Sequence, residues 1–504
     1  ASAVAEAVAA RDRAVEVCGV AGSERALIIA AIYARRPTPM LVVVPSAEEG
    51  QRLVDDLNFF SRRQALPVLF FPGYHQLPFK FLSYHNETAA ERIRVLYRML
   101  TDEAPPVVVV PAPALLQRLV PRQEISGYAE LVLAGEEVDR EQLVSKLIAG
   151  GYLRTAIVEE PGDFAVRGGI VDVFSPLYPD PLRIELFGDR VESLRFFSAG
   201  DQRHIGTVAE AVLLPAREAI LKPDALPEIL NRIRLQAADL NLPPTQVRKI
   251  TTSLSHQETF PGIESLLPLI YPQLESFFDY LPKEALCVIA GPEQVQSTAV
   301  EFEQLARTTY AAAFEHRNFC VPPESLYLPW EEARTRLAQR RPVALKLLEV
   351  VKAGDGLDAP EARVVTVGIQ SNSELTAGLR QLRDKEHLLM PLAEWIGGQQ
   401  RRGRRVLVVC RSKSQAERLI SLLSPYGLQF QRCEGFPAAT AEPSRPAVCL
   451  GQVSSGFVWP AERLAVVSEE EIFGVRHLRR AKPDAKARVR LLDLQELKQG
   501  DLIV

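Results

Sequence analysis

The chain has 504 residues, enough for about three to four domains, and its hydrophobic fraction of 47% is ordinary for a globular protein. Its 59 basic and 63 acidic residues give a formal charge of -4, which excludes the global positive charge of a dedicated nucleic-acid-binding protein. The six cysteines form no CxxC pair and the seven histidines lack metal-ligand spacing, so the sequence offers no zinc site and we expect reduced core cysteines.

The amino-terminal residues 1–13 alternate alanine with charged residues. They contain neither a signal-peptide core nor an apolar run long enough to span a membrane. We therefore expect a soluble cytoplasmic protein with no membrane partner.

Residues 1–122 alternate helical patterns with short, unbroken apolar runs. The runs at 41–45, 68–71 and 107–110 are rich in β-branched residues, which is typical of strands buried on both faces of a parallel sheet. Ser46 and Glu49 have the spacing of a helix capping box after the first run. This segment is predicted to be the first part of an α/β domain.

Residues 123–205 follow a different pattern and predict a small inserted α+β domain. Asp139 and Gln142 open a predicted helix that ends at Gly150 and Gly151, and extended segments follow. The run 182–187 alternates apolar and polar residues, and Gly188-Asp189 supplies a tight turn before the strand predicted at 191–197.

The alternation in 182–187 buries Leu182, Ile184 and Leu186 on one face of the predicted sheet. The other face carries Phe187 in line with Arg183, and aromatic and arginine side chains are the residues that most often anchor protein interfaces. The alternative is a solvated face whose phenylalanine packs under a loop.

Residues 206–345 return to helical patterns, and the apolar run 286–289 predicts a strand that completes the first sheet around the insert. A linker is predicted at 346–362. A second α/β domain is predicted at 363–473, with strands at 364–367, 406–410, 447–450 and 464–467. A basic, flexible segment is predicted at 474–504.

Two charged clusters in the second α/β domain have alternative interpretations. Glu469, Glu470 and Glu471 follow a predicted strand and could suggest a metal site, but a charged strand end is the favoured interpretation. The arginine run at 401–405 could contact DNA together with the basic residues after 474, but a solvated turn is favoured.

Several motifs resemble known families. The stretches 158–174, 182–189, 71–79 and 91–97 resemble the module shared by the repair protein UvrB and the transcription-repair coupling factors (Mfd). The segments 280–282, 326–328, 456–458 and 497–504 are similar to the amino-terminal half of the coupling factors, and the last is similar to the start of their RNA-polymerase-interacting domain. The chain is thus expected to be a piece of a longer protein.

This resemblance implies a multidomain α/β fold: a degenerate helicase-like, P-loop-type parallel-sheet domain with a small α+β insert, followed by a second α/β domain. It implies that the insert recruits UvrA through Arg167, Arg183 and Phe187. Arg167 has a simpler alternative, an ion pair with Asp163.

The resemblance also implies properties of the full-length protein. That protein would be an ATP-driven translocase on double-stranded DNA that displaces stalled RNA polymerase, with ATP and magnesium bound by domains outside this chain. A carboxy-terminal domain would mask the UvrA surface until polymerase is engaged.

A degenerate nucleotide loop lies where UvrB carries its phosphate-binding loop. Its residues are Gly19, Gly22, Ser23, Glu24, Arg25 and Ala26. A P-loop needs a glycine, a lysine and a hydroxyl residue at its last three positions, where Glu24, Arg25 and Ala26 stand.

Ala290 and Gly291 follow the strand that would deliver an acidic pair for magnesium, and no nucleophile motif occurs. We therefore expect no catalytic residue, metal or cofactor in this chain. The span from Phe71 to Glu91 is also too short for the DNA-gripping hairpin of UvrB. The alternative is a nucleotide-dependent, UvrB-like enzyme in which Arg25 replaces the lysine.

Overall fold

A computed structural model describes residues 1–10, 13–62, 66–74, 86–102, 104, 106–347, 362–381, 389–437 and 445–474. Most of the predicted linker 346–362, part of the motif at 71–79 and the basic segment beyond 474 lie outside the described residues. In the described part of the chain, no helix is both long and apolar enough to cross a membrane.

The strands in chain order are β1 Val15–Cys18, β2 Met40–Val44, β3 Val68–Phe70, β4 Val107–Pro111, β5 Glu130–Leu133, β6 Leu153–Arg154, β7 Asp163–Arg167, β8 Ile170–Val173, β9 Leu182–Phe187, β10 Arg190–Phe197, β11 His204–Val208, β12 Glu210–Leu213, β13 Leu286–Ala290, β14 Val343–Lys346, β15 Arg363–Thr366, β16 Gln370–Ser371, β17 Arg405–Cys410, β18 Gln431–Glu434, β19 Ala447–Leu450, β20 Phe457–Trp459 and β21 Leu464–Ser468.

The α-helices are α1 Ser2–Ala9, α2 Glu24–Arg35, α3 Ala47–Ser61, α4 Asn86–Thr101, α5 Ala112–Leu115, α6 Arg122–Tyr128, α7 Arg140–Ala149, α8 Leu226–Asp239, α9 Pro244–Ser255, α10 Leu267–Ile270, α11 Phe277–Tyr280, α12 Pro292–Glu315, α13 Pro323–Leu326, α14 Trp330–Gln339, α15 Ser373–Gln381, α16 Met390–Arg401, α17 Lys413–Leu423 and α18 Glu469–Phe473.

The first sheet has the strand order β15-β1-β14-β13-β2-β4-β3, and its strand pairs are parallel. β2 and β4 are buried along their whole length because helices cover both faces of the sheet. β13 and β14 lie between strands of the amino-terminal segment. The prediction that the chain after the insert completes the first sheet is therefore confirmed.

One strand was predicted in the wrong sheet. The run beginning at Val364 was expected in the second α/β domain, but β15 pairs with β1, and Val15 lies opposite Arg363. An apolar run predicts a strand without specifying its neighbour, which is why the sequence could not place it. The second sheet begins with β16.

The insert contains a six-stranded sheet of order β11-β10-β9-β8-β7-β6 and a two-stranded sheet of β12 with β5. Asp139 caps α7 by accepting hydrogen bonds from the backbone N–H groups of Glu141 and Gln142, as its position predicts. The predicted end of the insert at 205 is too early. β11 continues beyond it, and Leu213 and Ala216 belong to the insert's core.

A buried ion pair ties the end of the insert to the first domain. The Arg92 guanidinium on α4 donates to Glu218 Oε1 over 2.5 Å and to Gln117 Oε1 over 2.7 Å. Both charged side chains are at most 1% exposed, and the guanidinium also lies 4.3 Å from the centre of the Phe71 ring. Removing one partner would leave a buried charge, so this pair fixes where the chain leaves the insert.

The second sheet has the order β16-β20-β21-β17-β19-β18, and the four strands from β21 to β18 are parallel. It shares a hydrophobic core with the first sheet. Phe59 and Phe60 of α3 meet Phe436 and Phe457 of the second domain in aromatic contacts. Beside them, Asp56 accepts hydrogen bonds from the Ser454 N–H and hydroxyl, each over 2.6 Å.

Burial raises the pKa of the Asp56 carboxyl to about 7, with Ser454 and Arg25 opposing the shift and Asp55 adding to it. In the unfolded chain this carboxyl titrates near its ordinary pKa of about 4. The folded state therefore binds the proton more tightly between about pH 4 and pH 7, and this group's contribution to stability falls by up to about 1.4 kcal/mol per pH unit as pH rises.

We expect the melting temperature of the wild type, relative to Asp56→Asn, to fall as pH rises from about 4 to 7 and to level off above pH 7. Differential scanning calorimetry of both proteins across this range measures the difference. An offset between the two proteins that does not change with pH would contradict the assignment to Asp56.

Candidate partner-binding surface and nucleotide loop

The six-stranded sheet of the insert has one face on the core and one outer face. Leu182, Ile184 and Leu186 of β9 are buried, as the alternation predicts. At the end of the same strand Phe187 is 82% exposed, so the alternative in which it packs under a loop is wrong. Gly188, with φ +63°, begins the two-residue turn that leads into β10.

Arg183 lies on the outer face and is held in place by an acid that the sequence analysis missed. Its Nε and Nη2 donate to the two carboxylate oxygens of Asp172 over 2.7 and 2.9 Å. The guanidinium carbon also lies 4.9 Å from the centre of the Phe197 ring. The hydrogen bonds with Asp172 raise the pKa of Arg183, so its charge is fixed and its side chain is preorganised.

Asp172 lies directly opposite Arg183 in the register, but the sequence could not show this because residues 174–181 separate β8 from β9 and a connection of that length does not fix the register. The Asp172 side chain is 2% exposed, whereas that of Arg183 is 27% exposed. Arg183 therefore combines a structural role with a partly exposed guanidinium whose Nη1 makes no bond to Asp172.

Arg167 is exposed at the end of β7 on the same outer face. Its Nη2 donates to the Ala156 carbonyl over 2.7 Å. The predicted alternative of an ion pair with Asp163 is wrong, because Asp163 accepts hydrogen bonds from the N–H groups of Glu159 and Glu160 instead.

Strand register places the three predicted residues together. Arg167 lies opposite Ile170, which lies opposite Glu185, and Phe187 follows two residues further along β9. At about 4.8 Å between strands, all three fall within a patch of roughly 10–15 Å. We call the outer-face residues Arg167, Ile170, Arg183, Glu185, Phe187, Ser193 and Arg195 the insert face.

Glu185 was also missed as a member of the insert face. Its carboxylate accepts a hydrogen bond from the Ser193 hydroxyl over 2.5 Å and lies 3.1 Å from Arg195. The resulting surface has one exposed aromatic ring surrounded by fixed polar groups. Such an arrangement suits a protein partner, since rigid aromatic and arginine anchors lose little entropy on binding.

The predicted nucleotide loop joins β1 to α2. Its backbone donors are satisfied within the chain: Glu24 Oε1 accepts from the N–H groups of Ala21 and Gly22, each over 2.7 Å. The Glu24 side chain is only 4% exposed. Its carboxylate thus occupies the neighbourhood of N–H groups that in a P-loop would face a phosphate.

The second α/β domain covers the loop. The Ser23 N–H donates to Ser455 Oγ over 3.2 Å, and the Ser23 hydroxyl donates to the Ser455 carbonyl over 2.6 Å. An added Cβ at Gly22 would lie 2.3 Å from Ser455 Oγ, and one at Gly19 would lie 2.3 Å from the Val367 carbonyl. Both glycines therefore permit close packing of the protein on itself.

Arg25 and Ala26 also have structural surroundings. Arg25 Nε donates to the Gly22 carbonyl over 3.2 Å, and its Nη1 lies 3.7 Å from Glu49. Ala26 is fully buried in the core. In this arrangement the guanidinium braces the loop against α3.

The acidic cluster at 469–471 is used by the protein itself. Glu469 accepts a hydrogen bond from the Arg411 N–H over 3.1 Å, and Glu470 pairs with the Arg411 side chain. Glu471 forms a capping box with Ser468 at the start of α18, and burial raises its pKa. In the described ranges, no three or more His, Cys, Asp or Glu side chains are placed together so that they could hold a metal ion.

Comparison with known proteins gives two family models. The model described as UvrB interaction domain matches residues 132–218, and the model described as MFD, D3 domain matches residues 399–472. The first covers the insert, and the second lies within the second α/β domain.

Curated transcription-repair-coupling factors are similar along nearly the whole chain. The protein of Myxococcus xanthus is 31% identical over 500 residues, covering 96% of this chain and 41% of the relative. The proteins of Bacillus subtilis and Escherichia coli are 24% and 26% identical, covering 97% and 91% of this chain. The chain spans about two fifths of the length of these relatives.

The two anchors of the insert face should differ in their effect on stability. Arg183→Ala leaves the Asp172 carboxylate buried without its cation, and we expect local stability to fall by about 2–4 kcal/mol. Phe187→Ala removes an exposed ring and should change stability by less than about 0.5 kcal/mol. Native-state hydrogen exchange of the β8 and β9 amides measures both effects.

Arg195→Ala is the matched control, because its ion pair with Glu185 is more exposed and should contribute at most about 1 kcal/mol. Equal losses for Arg183→Ala and Arg195→Ala would contradict the structural role of the Asp172 pair.

Proposed function

Because the chain belongs to the family of transcription-repair-coupling factors, as part of their amino-terminal half, we propose that it is a non-catalytic adaptor that recruits UvrA. The observation that carries this proposal is Phe187, which is 82% exposed within the region matched by the UvrB interaction domain. Arg167 and the braced Arg183 lie beside it on the same face. Together they form the proposed UvrA contact.

For the full-length protein we propose the activity that the resemblance to the coupling factors implies. It would couple repair to transcription by displacing stalled RNA polymerase, moving on double-stranded DNA with ATP and magnesium bound by domains outside this chain. A carboxy-terminal domain of the same protein would mask the insert face until polymerase is engaged. We propose that this work takes place in the cytoplasm.

For the nucleotide loop we propose a structural role. A bound phosphate would compete with the Glu24 carboxylate for the N–H groups of Ala21 and Gly22. It would also have to displace Ser455, which bonds Ser23 from the second α/β domain. Because one ligand would have to replace both sets of internal hydrogen bonds, nucleotide binding is unfavourable at this loop.

Titration of UvrA into the purified chain by calorimetry tests the adaptor proposal. We expect saturable binding, and Phe187→Ala should weaken it by on the order of 2 kcal/mol, about 30-fold in Kd. Arg167→Ala should weaken it less, since it removes an exposed cation. Arg183→Lys keeps the charge beside Asp172 but loses the planar fork, so it tests this position without leaving a buried acid.

Phe314→Ala is the control, because Phe314 is 52% exposed on α12, far along the chain from the insert. Equal weakening by Phe187→Ala and Phe314→Ala would count against the insert face. Failure of the unmodified chain to bind UvrA would overturn the adaptor proposal.

Thermal denaturation with and without magnesium-ATP tests the loop. We expect no shift for the wild type, whereas a ligand present at a hundred times its Kd would stabilise the fold by about 2.7 kcal/mol. A nucleotide-dependent shift that Arg25→Ala abolishes would instead support the UvrB-like enzyme, with Arg25 in place of the lysine.

A further inference from the structure

The amino-terminal edge of the second sheet collects arginines from separate parts of the chain. β21, β17 and β19 are adjacent and parallel, so their first residues lie on one edge. Arg405 lies opposite Leu464, and Leu407 lies opposite Ala447. Extending this register backwards places Arg404 beside Arg463 and Arg405 beside Arg445, at strand spacings of about 4.8 Å.

A tight turn adds two further arginines to this edge. α16 ends at Arg401, and the N–H groups of Arg402 and Arg404 both donate to the Gln399 carbonyl over 3.1 Å. Gly403 takes a left-handed conformation, with φ +69°, that permits this turn. The arginine edge consists of Arg401, Arg402, Arg404, Arg405, Arg445 and Arg463.

The arginine edge concentrates positive charge. Within the described ranges, no carboxylate pairs with Arg401, Arg402, Arg445 or Arg463, and Arg404 donates to the Gln399 side-chain amide over 2.7 Å. Glu462, which precedes Arg463 in sequence, forms no ion pair with it. A concentrated positive field therefore lies on a chain whose formal charge is -4.

Structural roles account for only part of this cluster. Arg401 and Arg402 at the end of α16 interact favourably with the helix dipole. Arg445 precedes a strand, where no helix end needs a cation, whereas Arg463 caps the carboxyl end of the short 3-10 helix Pro460–Glu462. Its left-handed conformation, with φ +48°, belongs to this helix end. Helix ends do not explain why arginines from three separate segments of the chain meet at one edge, and this convergence points to a ligand of opposite charge.

We propose that the arginine edge binds the phosphate backbone of double-stranded DNA without reading its sequence. A guanidinium group can donate two hydrogen bonds to the oxygens of one phosphate, and a row of guanidinium groups suits the regularly spaced phosphates of a DNA backbone. This DNA surface is separate from the insert face and from the proposed recruitment of UvrA.

Anisotropy of a fluorescein-labelled duplex, titrated with the full chain at several KCl concentrations, tests the proposal. The test variant is Arg402→Gln, Arg445→Gln, Arg463→Asn, with asparagine chosen because it tolerates the left-handed backbone. The control variant is Arg234→Gln, Arg248→Gln, Arg307→Gln, which removes the same charge from exposed helical positions of the first domain. Circular dichroism checks that each protein is folded.

We expect the test variant to bind DNA more weakly at every salt concentration. The slope of log K against log salt should fall by about 0.9 for each phosphate that is no longer neutralised, up to about 2.7 for three. The control variant should match the wild type. All proteins keep the same residues 475–504, so binding through those residues would leave both variants unchanged and would overturn the proposal.

Two other outcomes would also overturn it. One is no DNA binding by the wild type at low salt. The other is loss in the test variant of binding to phosphatidylglycerol-containing vesicles, measured by co-sedimentation, with DNA binding intact. UvrA binding measured by calorimetry on the test variant should be unchanged, which separates this proposal from the adaptor proposal.

Discussion

The two-residue period of β9 is the constraint on which the insert face depends. Leu182, Ile184 and Leu186 must face the core of the insert, so Arg183, Glu185 and Phe187 must face outward. A register slip of one residue would bury two charges and expose three aliphatic side chains, at a cost of many kcal/mol. The same packing that stabilises the insert therefore also determines which side chains a partner can meet.

The surrounding structure makes this face rigid. Asp172 fixes Arg183 from the next strand, and the buried pair of Arg92 and Glu218 attaches the end of the insert to the first domain. The loop at residues 19–26 adds to this rigidity in another place, because Glu24 and Ser455 accept hydrogen bonds from its backbone N–H groups. The loop thus joins the first domain to the second α/β domain, and the insert is attached to the first domain.

Local patterns were sufficient to predict much of this fold. β-branched runs predicted the parallel strands, Ser46 and Asp139 cap their helices as expected, and alternation placed Phe187 on the outer face without deciding whether a loop covers it. Neighbours distant in sequence could not be read in this way. Periodicity indicates which side of a strand faces the core, but it does not specify which strand pairs with it. For this reason the sheet predicted for β15 and the predicted end of the insert were wrong. Arg445 and Arg463 lie close to the arginine run at 401–405 only because of the order of strands in the second sheet, which the sequence does not show.

The central claim is that the insert presents one outer face to UvrA, and hydrogen exchange of the chain with and without UvrA tests it most directly. The account predicts added protection in β9 and in the β9–β10 turn, with the first sheet and the arginine edge unchanged. Protection confined to other parts of the chain, with the β9–β10 turn exchanging as in the free protein, would contradict it.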